Sequence, residues 1–256
     1  MTLTLSPVPN IPMIQPGDDL GGIVFQALVD IPLQLEEGDI LVLAQKIVSK
    51  AENRLVNLTQ VVPSAQAIEL AGRTGKDPRF LELVLRESGE VLRTRPGTVI
   101  VEHKRGFVCA NAGIDHSNVR GPWGSPEDWV LLLPENPDES AERVRQRLCE
   151  LSGVANLGVM IIDSHGRAWR NGTVGVSIGL SNVPGIVDLR GKPDIYGYQL
   201  RVTMIAAADE LAAAASLVMG QAAECQPVIH VRGFPYQLRE ARLQELIRAK
   251  ELDMFR

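Results

Sequence analysis

Residues 156–180 read NLGVMIIDSHGRAWRNGTVGVSIGL, and the fold turns on how this stretch is taken. Gly158–Ile162 reads as a strand that delivers Asp163 at a sheet edge, with Gly166 turning the chain toward Arg167. Asp163, Ser164 and His165 are the side-chain types of a hydrolytic triad. A triad, however, converges from separate directions with the base between the other two, which consecutive neighbours rarely do. No GxSxG elbow surrounds Ser164 either. Two readings stay open: oxygen ligands for a hard cation such as Mg2+ or Mn2+ beside phosphate, or an Asx turn in which Asp163 bonds local amides. Arg167 and Arg170 can fork onto phosphate or carboxylate. The glycines at 172, 175 and 179 form neither GxGxxG nor Walker A, and equally suit close strand approach or a bulge.

Working outward, the preceding helix is capped by Asp138, with Glu139 and Glu142 in its first turn and Gly153 past its end. Before it, GTVIVEHKRGFVCANAGID (97–115) alternates as a hairpin turning at Lys104, Arg105 and Gly106. Two helices come earlier, one starting near Ser64 and one capped by Asp77 with Pro78 at its first position. Ile40–Val48 reads as a strand after a turn at Gly38, and DDLGGIVFQALV as a helix capped by Asp18 or Asp19. Downstream come an alanine-rich helix in MIAAADELAAAASLVMG, a strand in PVIHVRG and an amphipathic closing helix over 237–255. Strands and helices mix without strict βαβ alternation, linker or repeat. The expectation is an α+β fold: one domain over 1–256 with its core at 11–233, built as one compact unit with two interwoven lobes.

Composition narrows the function classes. With 26 Lys and Arg against 31 Asp and Glu, the net charge of -5 gives no electrostatic footprint for nucleic acid. The cysteines Cys109, Cys149 and Cys225 are widely spaced and form no zinc pattern, which fits a reducing compartment. MTLTLSPVPNIPMI lacks the basic start and apolar core of a signal peptide, and no apolar run reaches the length of a membrane span. These features predict a soluble, cytoplasmic protein with neither membrane nor nucleic-acid partner.

Other segments carry candidate chemistry. NAGIDHSNV (111–119) packs polar residues between two β-like runs: Asp115 suits a metal, Asn118 a base, sugar or phosphate, and a self-bonded turn explains both equally well. His116 has no matching His or Cys set for zinc and reads as a turn histidine. Lys50, in QKIVSKAEN, is a point charge suited to phosphate or a solvated lysine. In MGQAAECQPV, Gln221 and Glu224 face a cation or form a polar loop.

Taken in order, IPMI, VSKAEN, NAGIDHSNV, LLLPENPDESA, IIDSHGRAWRNGTVGVSIG, DLRGKPDIYGYQLRVT, ADELAAAASLVMG and PVIHVRG resemble the coenzyme F420-0:L-glutamate ligase family, over about Ile11 to Gly233. That family attaches γ-linked glutamate to a deazaflavin. The resemblance implies GTP as co-substrate, two Mn2+ or Mg2+ ions, F420-0 or a related deazaflavin and L-glutamate as partners, and a homodimer. It implies amide formation through an acyl phosphate, with Asp115, Asp163 and Lys50 in catalytic positions. Asp115, Asp163, Ser164 and Gln221 match metal positions. Ile11, Pro12, Met13, Ile14, Gln45, Lys46, Lys50, Asn118, Met219 and Gly220 match nucleotide positions. Glu224 and His165 are candidates for the base that accepts the amine proton. Two departures stand out: Gln221 where glutamate is expected, and Gln45 and Lys46 where small hydroxyl residues are common. They leave two alternatives, a related amide ligase with another acceptor and a nucleotide- or deazaflavin-binding protein without catalysis.

Overall fold

A computed structural model describes residues 2–255. The chain begins with β1 (Thr4–Pro7), α1 (Leu20–Val29), β2 (Ile40–Ala44) and α2 (Gln45–Ala51). A second group follows: β3 (Leu55–Asn57), α3 (Ala65–Thr74), α4 (Pro78–Arg86), β4 (Ser88–Arg95), β5 (Thr98–His103), β6 (Val108–Ala110) and β7 (Trp129–Leu131). The chain returns through α5 (Pro137–Ser152), β8 (Gly158–Arg167), β9 (Arg170–Ser181), β10 (Val187–Asp188), β11 (Met204–Ile205), α6 (Ala207–Met219) and β12 (Val228–Arg232). Asp19, Ser64 and Asp77 cap their helices with side-chain oxygens, and Gly153 closes α5 in the left-handed conformation, as the sequence predicts.

The main sheet has the order β1-β12-β2-β8-β9. β2 and β8 run parallel, from Ile40 opposite Gly158 to Ala44 opposite Ile162, and the other pairs are antiparallel. Both faces are covered, so the central strands read as unbroken apolar runs. Leu41, Leu43, Val159 and Ile161 join one core with Val24 and Leu28 of α1 and Val144 and Leu148 of α5. Ile40, Val42, Met160 and Ile162 join the other with Leu211, Ala212 and Ala215 of α6. The approach of α6 to β9 needs Gly175, because a Cβ there would lie 2.5 Å from the Ala212 carbonyl oxygen. Between α2 and α5 the chain builds a third cluster, where Leu70, Leu81, Val84, Val99, Val101, Ile114 and Val130 pack together. This insertion, carrying the sheet β4-β5-β6, makes the second lobe of the α+β fold. No helix among the described residues is long and apolar enough to cross a membrane.

Four local expectations are corrected. The strand expected over Ile40–Val48 ends at Ala44, and α2 begins at Gln45. A short apolar run does not distinguish a buried strand from a buried helix, and here Ile47 and Val48 reach the first core from a helix. β8 does not turn at Gly166, which pairs with Thr173. The strand continues to Arg167, leaving Ala168 and Trp169 as the hairpin loop. At the start of α5, Asn136 is the N-cap and Pro137 the first helical residue. The Asp138 carboxylate instead accepts from the backbone amides of Leu180 and Leu243. Residues 237–255 form no α-helix, only single turns at Leu243–Glu245 and Lys250–Leu252. Leu243 and Ile247 pack on the first core and Leu238 on the second. An irregular chain reaches both, whereas one straight helix presents a single apolar stripe.

Candidate active site

Where β2 stops at Ala44, β8 loses its parallel neighbour and continues with β9 alone. A cavity of about 750 Å³ opens there. It lies beyond the carboxyl ends of the parallel strands, the usual ligand position in such sheets. Every residue expected to hold metal or nucleotide lines it: Ile11 to Ile14, Gln45, Lys46 and Lys50 of α2, Asp115, Asn118, Asp163, Ser164, Met219, Gly220 and Gln221.

Asp115 is placed by its backbone. Its amide donates to Leu131 at 3.0 Å and its carbonyl accepts from Leu131 at 2.9 Å, so the loop is stapled to β7. The turn before it takes Asn111, Ala112 and Gly113 through left-handed backbone (φ 53°, 55° and 68°). Its Oδ2 accepts from Gln45 Nε2 at 2.7 Å and lies 3.5 Å from Lys46 Nζ. Ser49 in turn donates to the buried Gln45 carbonyl at 2.9 Å, fixing the amide that holds Asp115. Burial, and then the charge of Asp163, push the Asp115 carboxyl up to about 6, against the opposing pull of Lys46 and Gln45.

Asp163 and Ser164 occupy one strand, so they leave it on opposite faces. Asp163 lies 3.1 Å from His165 Nε2 on its own face. The His165 ring meets Phe107 with centroids 5.4 Å apart, and Phe107 stacks on His103 at 4.7 Å. Ser164 points toward α6 and donates to Gln221 Oε1 at 2.8 Å, while Gln221 Nε2 donates to Ser216 at 2.9 Å. Gln221 is therefore a hydrogen-bonded bridge between β8 and α6.

The remaining walls are also tied. Asn118 Nδ2 donates to the Ala222 carbonyl at 3.1 Å, joining two loops. Gly220 sits at φ 74°, and a Cβ there would collide with the Glu224 carboxylate. Glu224 accepts from the Ala222 amide at 2.7 Å, and that bond holds its carboxyl below the usual range. Lys50 is half-buried and makes no side-chain hydrogen bond or ion pair among the described residues. Burial, then the nearby Lys46, lower its pKa. Arg167 and Arg170 do not line the cavity, and His116 stacks on Phe80 outside it. Asn111, Ser117, Arg120, Thr173 and Ser216 do line it and were missed. Of these, Ser216 had a readable signal, since it lies one helical turn before Met219.

The donor set favours one class of ion. Among the described residues no three His, Cys, Asp or Glu side chains converge, which argues against a closed zinc cage. Two carboxylates, of which Asp115 has its pKa raised by burial and by the charge of Asp163, with a hydroxyl nearby, suit a hard cation completed by water and phosphate oxygens.

The sequence profile described as F420-0:Gamma-glutamyl ligase matches residues 9–233. The chain belongs to this family. It is 45% identical to the coenzyme F420:L-glutamate ligase of Methanopyrus kandleri, across 100% of this chain and 98% of that protein. It is 44% identical to the enzyme so named from Methanothermobacter thermautotrophicus, across 100% of both chains. The corresponding protein of Archaeoglobus fulgidus is 41% identical over 100% of this chain and 97% of its own length. The cavity gathers residues from six of the segments that carried the resemblance, IPMI, VSKAEN, NAGIDHSNV, IIDSHGRAWRNGTVGVSIG, ADELAAAASLVMG and PVIHVRG, whereas LLLPENPDESA and DLRGKPDIYGYQLRVT lie outside it.

Proposed function

We propose that this protein joins L-glutamate to F420-0 through an amide bond, with GTP as the energy source and Mn2+ or Mg2+ as the metal, and that it works as a homodimer. The observation that carries this reading is the convergence of Asp115, Asp163, Ser164 and Lys50, which has no side-chain partner among the described residues, on a single cavity. The names of the relatives supply F420 and L-glutamate, and the description of the family supplies F420-0.

A carboxylate does not condense with an amine at neutral pH until its oxygen becomes a leaving group. In the proposed route the γ-phosphoryl of GTP passes to the acceptor carboxylate, giving an acyl phosphate and GDP. The glutamate amine attacks the acyl carbon, phosphate leaves with the C–O bonding pair, and the amine gives up a proton. Asp115 and Asp163 would hold the metal, which when bound would neutralise phosphate charge between two anionic reactants. Lys50 supplies a fixed positive charge on the nucleotide side. Lys46, anchored by Ser117 at 2.9 Å, keeps Asp115 oriented. Ile11 to Ile14 form an apolar-edged wall suited to a base, and Asn118 a polar one suited to its sugar or phosphate. Both base candidates line the cavity, His165 with its Nε2 3.1 Å from Asp163 and Glu224 with one carboxylate oxygen accepting from the Ala222 amide. The dimer surface we assign to the arm around β10 and β11, where Ile195 is 90% and Tyr196 89% exposed.

Asp163→Asn tests the reading. With GTP, Mn2+, glutamate and F420-0, product mass and phosphate release should fall by about 100-fold or more, while the circular dichroism spectrum and Tm stay at wild-type values. Full activity in this variant would remove Asp163 from the metal role.

A further inference from the structure

The hairpin of β8 and β9 does not stop at the cavity. Gly166 and Thr173, opposite each other, line the rim. One further rung follows, Arg167 opposite Arg170, closed by Ala168 and Trp169. Trp169 is 86% exposed and stands at φ 63°, left-handed backbone that bulky residues seldom adopt. The Phe255 ring lies beside it, centroids 6.4 Å apart. Arg167 donates to the Asn171 carbonyl at 3.1 Å, and neither Arg167 nor Arg170 has a carboxylate partner among the described residues. Other exposed arginines, such as Arg143, Arg147, Arg190 and Arg239, each hold a carboxylate, and what sets this tip apart is that Arg167 and Arg170 flank an exposed indole on one hairpin rung.

We infer that this tip is the platform for the acceptor's planar ring, with Trp169 stacking on the ring and Arg167 and Arg170 holding anionic groups of its tether. The inference rests on the ligase reading above and adds the place where the acceptor is recognised. The nucleotide is assigned to the wall formed by Ile11 to Ile14, Lys50 and Asn118, so the hairpin side is left for the second large substrate. From Asp163 to Trp169 is six residues of strand and turn, about 20 Å at the rise of an extended chain. A molecule that reacts at Asp163 and stacks at the tip is therefore elongated, with its carboxylate at one end and a flat ring at the other. An exposed indole between two unpaired guanidiniums suits an anionic aromatic ligand, since stacking and charge act on the same molecule.

The experiment is a titration of the intact protein with F420-0, read by fluorescence, beside a GTP titration by calorimetry and a product assay. Trp169→Ala should weaken F420-0 binding at least about tenfold and leave GTP affinity at the wild-type value. Trp169→Phe, which keeps a stacking face, should recover most of the loss. Arg170→Gln should weaken F420-0 binding and reduce its dependence on salt. Wild-type F420-0 affinity in Trp169→Ala, alongside product formation by the wild type, overturns the platform while sparing the ligase reading. A wild-type protein that makes no product from F420-0 overturns both. If Trp169→Ala sediments as a smaller species than the wild type and Trp169→Phe does not restore F420-0 binding, the tip is a contact between copies of this chain and the platform is overturned.

Discussion

Lys50 combines partial burial with the lack of a counterion among the described residues, and an ammonium in that position is unfavourable until an anion completes it. Its replacement should therefore separate binding from stability. Lys50→Met is expected to weaken GTP binding about tenfold or more by calorimetry, since it removes a charge-assisted contact to phosphate. The same variant should keep its Tm or gain slightly, because an unpaired charge is gone. A fall of several degrees in Tm would mean that Lys50 is structural. Asp115 is the mirror case, a carboxylate whose charge is opposed by burial and by Asp163 and whose position is fixed by Gln45. Gln45 and Lys46, where the resemblance leads to an expectation of small hydroxyl residues, are thus the residues that hold Asp115 in place. Gln221, where glutamate is expected, bridges Ser164 to Ser216.

At the scale of elements, Gly175 decides how closely α6 lies on β9, and with it where Ser216, Met219 and Gly220 reach the cavity. Gly175→Ala puts a methyl group against helix backbone that cannot move aside cheaply. The expected cost is about 2–4 kcal/mol, read as a lower denaturation midpoint at unchanged m-value. The caps at Asp19, Ser64 and Asp77 were legible because their signals are local and act on amides within three residues, whereas Asp138 was misread as a cap because its carboxylate serves the distant Leu180 and Leu243 amides. The misreadings have the opposite character. Whether Ile47 and Val48 belong to a strand or a helix depends on a core assembled from distant segments, and so does the wrapping of Leu238 and Leu243. The site divides the same way. Each polar cluster could be found on its own, and Asp115 stayed ambiguous between ligand and turn until its staple to Leu131 placed it in the cavity.

For the molecule as a whole, His103 should set much of the mild-acid response. It is buried, its Nε2 has no hydrogen-bond partner among the described residues and lies 3.9 Å from the Glu87 carboxylate, and burial followed by the charges of Arg105 and Lys104 lowers its pKa to about 4. The unfolded imidazole takes a proton near 6.5, so stability is complete above that pH and falls as pH drops toward 4. The full contribution is about 3 kcal/mol. Asp115, raised to about 6, works in the opposite direction because the folded chain takes its proton first. The decisive measurement is therefore a difference: urea stability of wild type minus His103→Phe should shrink between pH 6.5 and 4. Asp39 belongs to a lower range. Burial opposes its charge, but hydrogen bonds from Arg232 and His230 hold its carboxyl at about 2, so its contribution is lost only in strong acid.

The parallel pairing of β2 with β8 joins Ile40 to Gly158 across the whole inserted lobe. Closing so long a loop is slow, because the entropy is spent before any contact rewards it. During synthesis β2 and α2 must wait, apolar and unpaired, until β8 emerges, and the cavity floor cannot exist before then. The segment Ile40–Val48 is thus the place where a nascent chain is most exposed to aggregation or to capture by a chaperone.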